Sequence, residues 1–398
     1  MNLNPTGWAA RVLTPLLRII RTPPNATVPV IAISEPVNSD TAALVNADVA
    51  LVAKGTGATL AQVPDGTVAG GTKRGQYATD LQKARSAASQ VASGSASVIS
   101  GGQDNINAGS WSSIGGGLGN TVSNTTATIA GGNSNTASGD TATIAGGGAN
   151  QCTSSNSFIG GGQSNRAQTN SHAAVCGGSG NTASGQYSFV GGGQNLSATA
   201  TNSTVCGGQN NTSSGAYAFV GGGQTNFTSA AYSFISGGRR GNGRSIIGYH
   251  VFPACSIPVA DASGVSQSAL LLLGRQTTDA TATVLASDGS AATTTNQVIL
   301  PNNSAYSFSG EVIAGVTAAG NTARWTIDGA IKRGANAAST TMVGTPTVTM
   351  THFDAGAATW VVAVTADTTN GGIAVTVTGA AATTIRWVAK IETTEMTY

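Results

Sequence analysis

The chain has 398 residues, of which 55 are glycine and only 34 are charged (18 Lys and Arg, 16 Asp and Glu). A net charge of +2 gives no electrostatic footprint for nucleic acid. No run reaches the roughly 18 apolar residues of a spanning helix, so membrane insertion is not expected. Residues 1–50 are punctuated by proline, and "MNLNPTGWAARVLTPLLRIIRTPPN" is broken by Pro15 and Arg18, which does not suit a secretory signal. This segment reads either as a docking tail with a short helix or as a disordered terminus. Trp8, Arg11, Arg18 and Arg21 are its docking candidates. Residues 51–94 form a neck: short strands with Gly turns, then "QYATDLQKARSAASQVAS". Ala78, Leu81, Ala84, Ala88 and Val91 could share a helical stripe there, small enough for three helices to meet at an axis.

From 95 to 240 the chain repeats. Ile99, Ile114, Ile129, Ile144, Ile159, Val175, Val190, Val205, Val220 and Ile235 recur at steps of 15 residues, with one step of 16. All twenty positions two and three places after these ten anchors are glycine, among them Gly192, Gly193, Gly207, Gly208, Gly222 and Gly223. Six places after the anchor stands Asn in eight of ten units. A 15-residue unit is too short for a helix pair and suits one coil of a β-solenoid. Each unit reads as a strand ending at the anchor, a glycine corner and an Asn/Thr/Ser return, with Asn serving as a turn residue.

Each coil offers little beyond one Ile or Val to a core, which is thin support for a free-standing rod. Three identical chains around an axis would supply the missing burial. Phe158, Phe189, Phe219 and Phe234, with Tyr187, Tyr217 and Tyr232, read as a subunit interface or alternatively as a sugar-stacking surface. Cys176 and Cys206 lie two coils apart, about 9.6 Å by strand spacing, beyond disulfide reach. They read as small buried thiols in place of Ala or Gly, and the redox state of Cys152, Cys176, Cys206 and Cys255 is open.

A connector over 241–259 leads to a tip over 260–398, where eight or nine alternating segments suggest an antiparallel sandwich or jelly roll. Asp288-Gly289, Asp328-Gly329 and Asn370-Gly371 are the expected turns. Trp325, Trp360 and Trp387 each share a face with apolar neighbours and read as core, or as a glycan platform at a tip. The rod holds two aspartates 36 residues apart and no glutamate, so a glycosidase pair on its flank is excluded. In the tip, Asp279, Asp288, Asp328, Asp354 and Asp367 fall near turns, and Glu311 in a strand. His172, His250 and His352 stand alone, so neither a metal nor a cofactor site is expected.

The stretches "YSFVGGGQN" (187–195) and "GGNSNTASG" (131–139) resemble the head repeats of trimeric autotransporter adhesins and of related bacteriophage fibres. That resemblance implies a trimeric left-handed β-roll. The neck and "LGRQTTDATATVLASDGSA" in the tip are similar to segments of phage and prophage tail-fibre proteins. The C-terminus "TIRWVAKIETTEMTY" lacks the membrane strands expected of an anchored adhesin. The combined expectation is an all-β homotrimeric fibre, external on a virion and made in the host cytoplasm without a signal peptide. Its tail would dock on a baseplate, tail or capsid protein, its tip would bind a host surface glycan or protein, and it would not be an enzyme. The alternatives are a decorative fibre without a receptor, a bacterial trimeric adhesin, or a glycan hydrolase with its site at the tip.

Overall fold

A computed structural model of the chain describes residues 57–318 and 320–398, and the backbone of two earlier strands, Leu17–Ile20 and Val30–Ile33. These two pair antiparallel where a short helix was expected. Arg18 lies on the first of them, while Trp8, Arg11 and Arg21 fall outside the described residues.

The repeat folds as the anchor spacing requires. Twelve parallel steps run from Thr59–Leu60 to His250–Pro253, with each anchor beside the next. A nine-stranded parallel sheet from Ile106–Asn107 to Phe227–Thr228 makes a second side of the coil. A column of single bridges from Ala84 through Gln103 to Arg239 makes a third. The anchors from Ile99 to Ile235 are fully buried, flanked by small residues such as Ala127, Ser157 and Ala183.

The Asn six places on is not a surface turn. Asn105, Asn120, Asn135, Asn150, Asn165 and Asn181 are buried and stack as a ladder. The Nδ2 of Asn150 donates to Gly146 O and Gly162 O, both at 3.0 Å, and its Oδ1 accepts from Asn165 N, also at 3.0 Å. Each amide therefore satisfies groups in its own coil and in the next, which is what a buried polar side chain needs. Gln82 opens the ladder by accepting from Asn105 N at 3.0 Å. Leu196 interrupts it, and Asn211 and Asn226 resume it. The coil is thus better filled than one aliphatic residue per turn suggests, which corrects the expectation of a nearly empty core.

The neck is also corrected. Among the described residues no α-helix forms, and residues 57–94 add two wider coils to the rod. Ala78 and Val91 are buried inside those coils, whereas Leu81 is exposed. Asp80 takes the anchor place beside Ile99. It is held by Arg74 Nε at 2.8 Å and Arg85 Nη2 at 3.3 Å, all three side chains being buried.

In the tip, Ser266–Thr277, Ile385–Thr397, Ser304–Val316, Thr322–Arg333 and Thr347–Phe353 pair antiparallel in that spatial order. A smaller sheet centres on Gly372–Thr378, with Val361–Asp367 on one side and Thr283–Val284 and Val298–Ile299 on the other. Gly289 and Gly371 take left-handed turns as expected. Asp328-Gly329 does not turn: it lies inside Thr322–Arg333, with Gly329 opposite Phe308. A side chain on Gly329 would meet the Phe308 ring, so the glycine makes room for a buried aromatic across the strand pair.

Candidate functional site

Trp325, Trp360 and Trp387 come together, but inside the tip. All three are buried, and the Trp387 ring lies 5.6 Å from Trp325 and 5.8 Å from Trp360. Trp387 Nε1 donates to Thr277 Oγ1 at 2.9 Å, satisfying its one polar group. Trp325 and Trp387 belong to the larger sheet and Trp360 leads into a strand of the smaller one, so the trio joins the two layers. None presents a face to solvent, and their place as glycan platforms is corrected to core.

Four of the five tip aspartates expected near turns, Asp279, Asp288, Asp354 and Asp367, are likewise occupied. Asp279 accepts from Thr281 N at 2.7 Å, a backbone bond that holds its carboxyl below the usual range. Asp354 accepts from Thr322 N at 2.8 Å, and Asp367 from Thr369 N and Asn370 N, each at 2.9 Å. Glu311 pairs with Arg324 Nη2 at 2.6 Å, and that hydrogen bond and charge hold it below its ordinary pKa. Among the described residues no group of three or more His, Cys, Asp or Glu is placed to hold a metal.

The joint between rod and tip holds a polar cluster that the sequence did not reveal. Glu395 is buried and accepts from Gln267 Nε2 at 2.8 Å, from Arg244 Nε at 3.3 Å and from the Tyr249 hydroxyl. Burial first, and then the Glu395 carboxylate, push the Tyr249 hydroxyl well above its ordinary pKa, so it remains a donor. Arg244 and Tyr249 come from the connector, Gln267 and Glu395 from two tip strands. A groove of about 390 Å³ lies nearby on the larger sheet, lined by Phe252, Leu270, Ser307, Ser309 and Glu392.

The rod carries a column of exposed aromatic side chains. Trp111, Tyr187, Tyr217 and Tyr232 all stand three places before an anchor and are 52–68% exposed. They occupy one column, linked by bonds from Trp111 N to Ser95 O and from Tyr217 N to Thr201 O, both at 2.9 Å. Every described residue of this column from Tyr77 to Tyr232 has φ between 51° and 65°. Residue type does not announce this, because left-handed backbone is ordinarily signalled by Gly or Asn and only Asn156 and Asn202 of the column are either. The corner glycines also divide. Gly193, Gly208 and Gly223 back onto the next coil, so that an added Cβ would strike its backbone. Gly192, Gly207 and Gly222 have room for a Cβ.

No family model matches the chain, and no curated protein does. Solved structures similar to it in part include three bacteriophage tailspikes. The first, gp49 of Acinetobacter baumannii phage Fri1, is a capsular polysaccharide depolymerase. It is 8% identical with a TM-score of 0.20, over 84% of this chain and 70% of that one. The tailspike of Acinetobacter phage vB_ApiP_P1 is 8% identical with a TM-score of 0.22, over 86% and 80%. That of Acinetobacter baumannii phage AM24 is 8% identical with a TM-score of 0.22, over 84% and 68%. The expectation that this chain is not an enzyme is corrected on the Fri1 finding, since that neighbour is one, and is withdrawn.

Proposed function

We propose that the chain is the subunit of a homotrimeric external fibre of a bacteriophage. In this reading the N-terminal segment docks on a baseplate, tail or capsid protein, the solenoid is a rigid spacer, and the outer part engages a host surface glycan. The observation that carries it is the unbroken passage from rod to tip. The parallel ladder continues through Phe234–Ile235 to His250–Val251, and His250–Pro253 then pairs antiparallel with Ser266–Thr277. Glu395 locks that joint through Arg244, Tyr249 and Gln267. A stiff arm of this kind holds copies of a weak site in fixed relation, which multiplies weak contacts into avidity. Phe158, Phe189 and Phe227 remain exposed on the rod, and Leu272, Ile313 and Val388 on the tip sheet, and association of like chains would cover them.

Immunogold labelling of particles with antibodies against residues 255–398 tests the reading. Label at the outer end of a projecting fibre, together with antibody-blocked adsorption to the host, is the expected result. Absence of the chain from purified particles would contradict it.

A further inference from the structure

We infer that the rod edge carries a neutral-sugar slot, with Tyr187 and Tyr217 as its walls and Asn202 as its floor. This goes beyond the reading above: it keeps the surface glycan as ligand class and adds a site on the rod, which would then be more than a spacer. Tyr187, Asn202 and Tyr217 are successive members of the left-handed column, joined by bonds from Asn202 N to Gln186 O at 2.8 Å and from Tyr217 N to Thr201 O at 2.9 Å. Each wall is backed by a second ring. Tyr187 stacks on His172 at 4.8 Å, and Tyr217 stacks on Tyr232 at 5.1 Å with 6° between the planes. The stack is therefore two pairs of rings with one short side chain between them.

Two coil steps separate the walls by about 10 Å. Van der Waals contact on both sides takes roughly 3.5–4 Å each, which leaves about 2–3 Å for the body of whatever enters. One ring, flat or puckered, therefore fits between the walls, and the C–H face of a pyranose can lie against either of them. The floor fits the same ligand. The Asn202 side-chain amide has no hydrogen-bond partner among the described residues, whereas Asn156, in the same column, accepts from Thr141 Oγ1 at 2.6 Å. Free amide donors and acceptors beside two aromatic faces match the hydroxyl rim and apolar faces of a sugar. The residues that precede the column here, Ser171, Gln186, Thr201 and Ala216, are all uncharged, which favours a neutral ligand.

The backbone strengthens the inference. Tyr187, Tyr217 and Tyr232 hold φ of 56°, 58° and 59°, a region costly for bulky residues, and yet remain more than half exposed. Thr126 and Thr141 fill the same place without rings, so the coil does not need aromatics there. Strain accepted by side chains that add little to the core points to a role outside folding. Tyr77, Ala96 and Trp111 repeat the spacing near the start of the rod, with two exposed rings across one small residue.

The test uses the full chain and a panel of maltohexaose, cellohexaose and chitohexaose, read by calorimetry and by saturation-transfer NMR, with sedimentation as the control for assembly. The key variant is Asn202→Tyr, which fills the slot with a ring at φ of 55°, a conformation its neighbours already accept as Tyr. The parent chain is expected to bind at least one oligosaccharide. Asn202→Tyr and the Tyr187→Ala/Tyr217→Ala pair are expected to weaken that binding at least tenfold with assembly unchanged. Undiminished binding by Asn202→Tyr overturns the slot and leaves the surface-glycan reading standing. Dissociation of the Tyr187→Ala/Tyr217→Ala chain into monomers overturns it in favour of a subunit interface. Failure of the parent to bind any of the panel overturns the slot together with a neutral-glycan reading.

Discussion

Replacing Gly208 by Ala tests the coil geometry against a control one residue away. Gly208 has φ of +90°, and an added Cβ would overlap the carbonyl oxygen of Gly223 in the next coil and lie 2.6 Å from Asn211 Nδ2. That nitrogen donates to Gly207 O at 2.8 Å and to Gly223 O at 2.9 Å, and Gln209 N donates to Gly223 O at 3.0 Å. Relief of the clash must separate the coils or turn the amide. Left-handed strain of about 1–3 kcal/mol and about 1–3 kcal/mol for a buried polar group left unpaired combine to roughly 2–6 kcal/mol. At Gly207 an added Cβ would sit 3.4 Å from Gly192 O, an ordinary contact, and no left-handed φ is required. Gly207→Ala should therefore be neutral or should stabilise by up to about 1 kcal/mol through the unfolded state. Denaturant midpoints of the two variants, measured at equal chain concentration, are the assay. Equal destabilisation by both, or none by either, would refute the assignment of the inner glycine as the close-approach position.

Asn150→Ala should destabilise by about 1–3 kcal/mol, because Asn165 N and Gly146 O lose their partner and Gly162 O keeps only Gly148 N, and the same denaturant titration reads it. Trp387→Ala should cost about 3–5 kcal/mol and lower the melting temperature of the tip, while Trp325 and Trp360 fluorescence shifts toward that of exposed indole. All four cysteines are free thiols. Burial pushes the Cys152 thiol up to about 12, so it should resist iodoacetamide at pH 8 in the folded chain, while the exposed Cys176, Cys206 and Cys255 are alkylated, as peptide mass spectrometry would show.

The rod was legible because its signal is periodic. Ten aliphatic anchors and twenty glycines at fixed offsets admit few folds other than a stacked coil. The two coils before Ile99 escaped because their steps are 20 and 19 residues and the second anchor is Asp80. An acid reads as surface unless its partners are known, and Arg74 and Arg85 meet it only once the coil has closed. Asn was seen at its offset but assigned to a turn, since residue type alone does not separate a turn Asn from a buried ladder. The tip strands were readable from alternation, as was the sharing of faces by the tryptophans. Burial of those faces depends on the second sheet, which pairs residues as far apart as Val284 and Thr376. The left-handed aromatic column left one trace, a constant offset of three from the anchor, at which Trp111, His172, Tyr187, Tyr217 and Tyr232 recur.

Electron cryo-microscopy of the purified full chain tests the central claim most directly. The account predicts a threefold-symmetric particle of about three times 39.1 kDa, with a rod of twelve coil steps close to 58 Å long at about 4.8 Å per step, ending in three sandwich tips. A monodisperse monomer, or a rod whose repeat along its axis is not one coil per 15 residues, would contradict it.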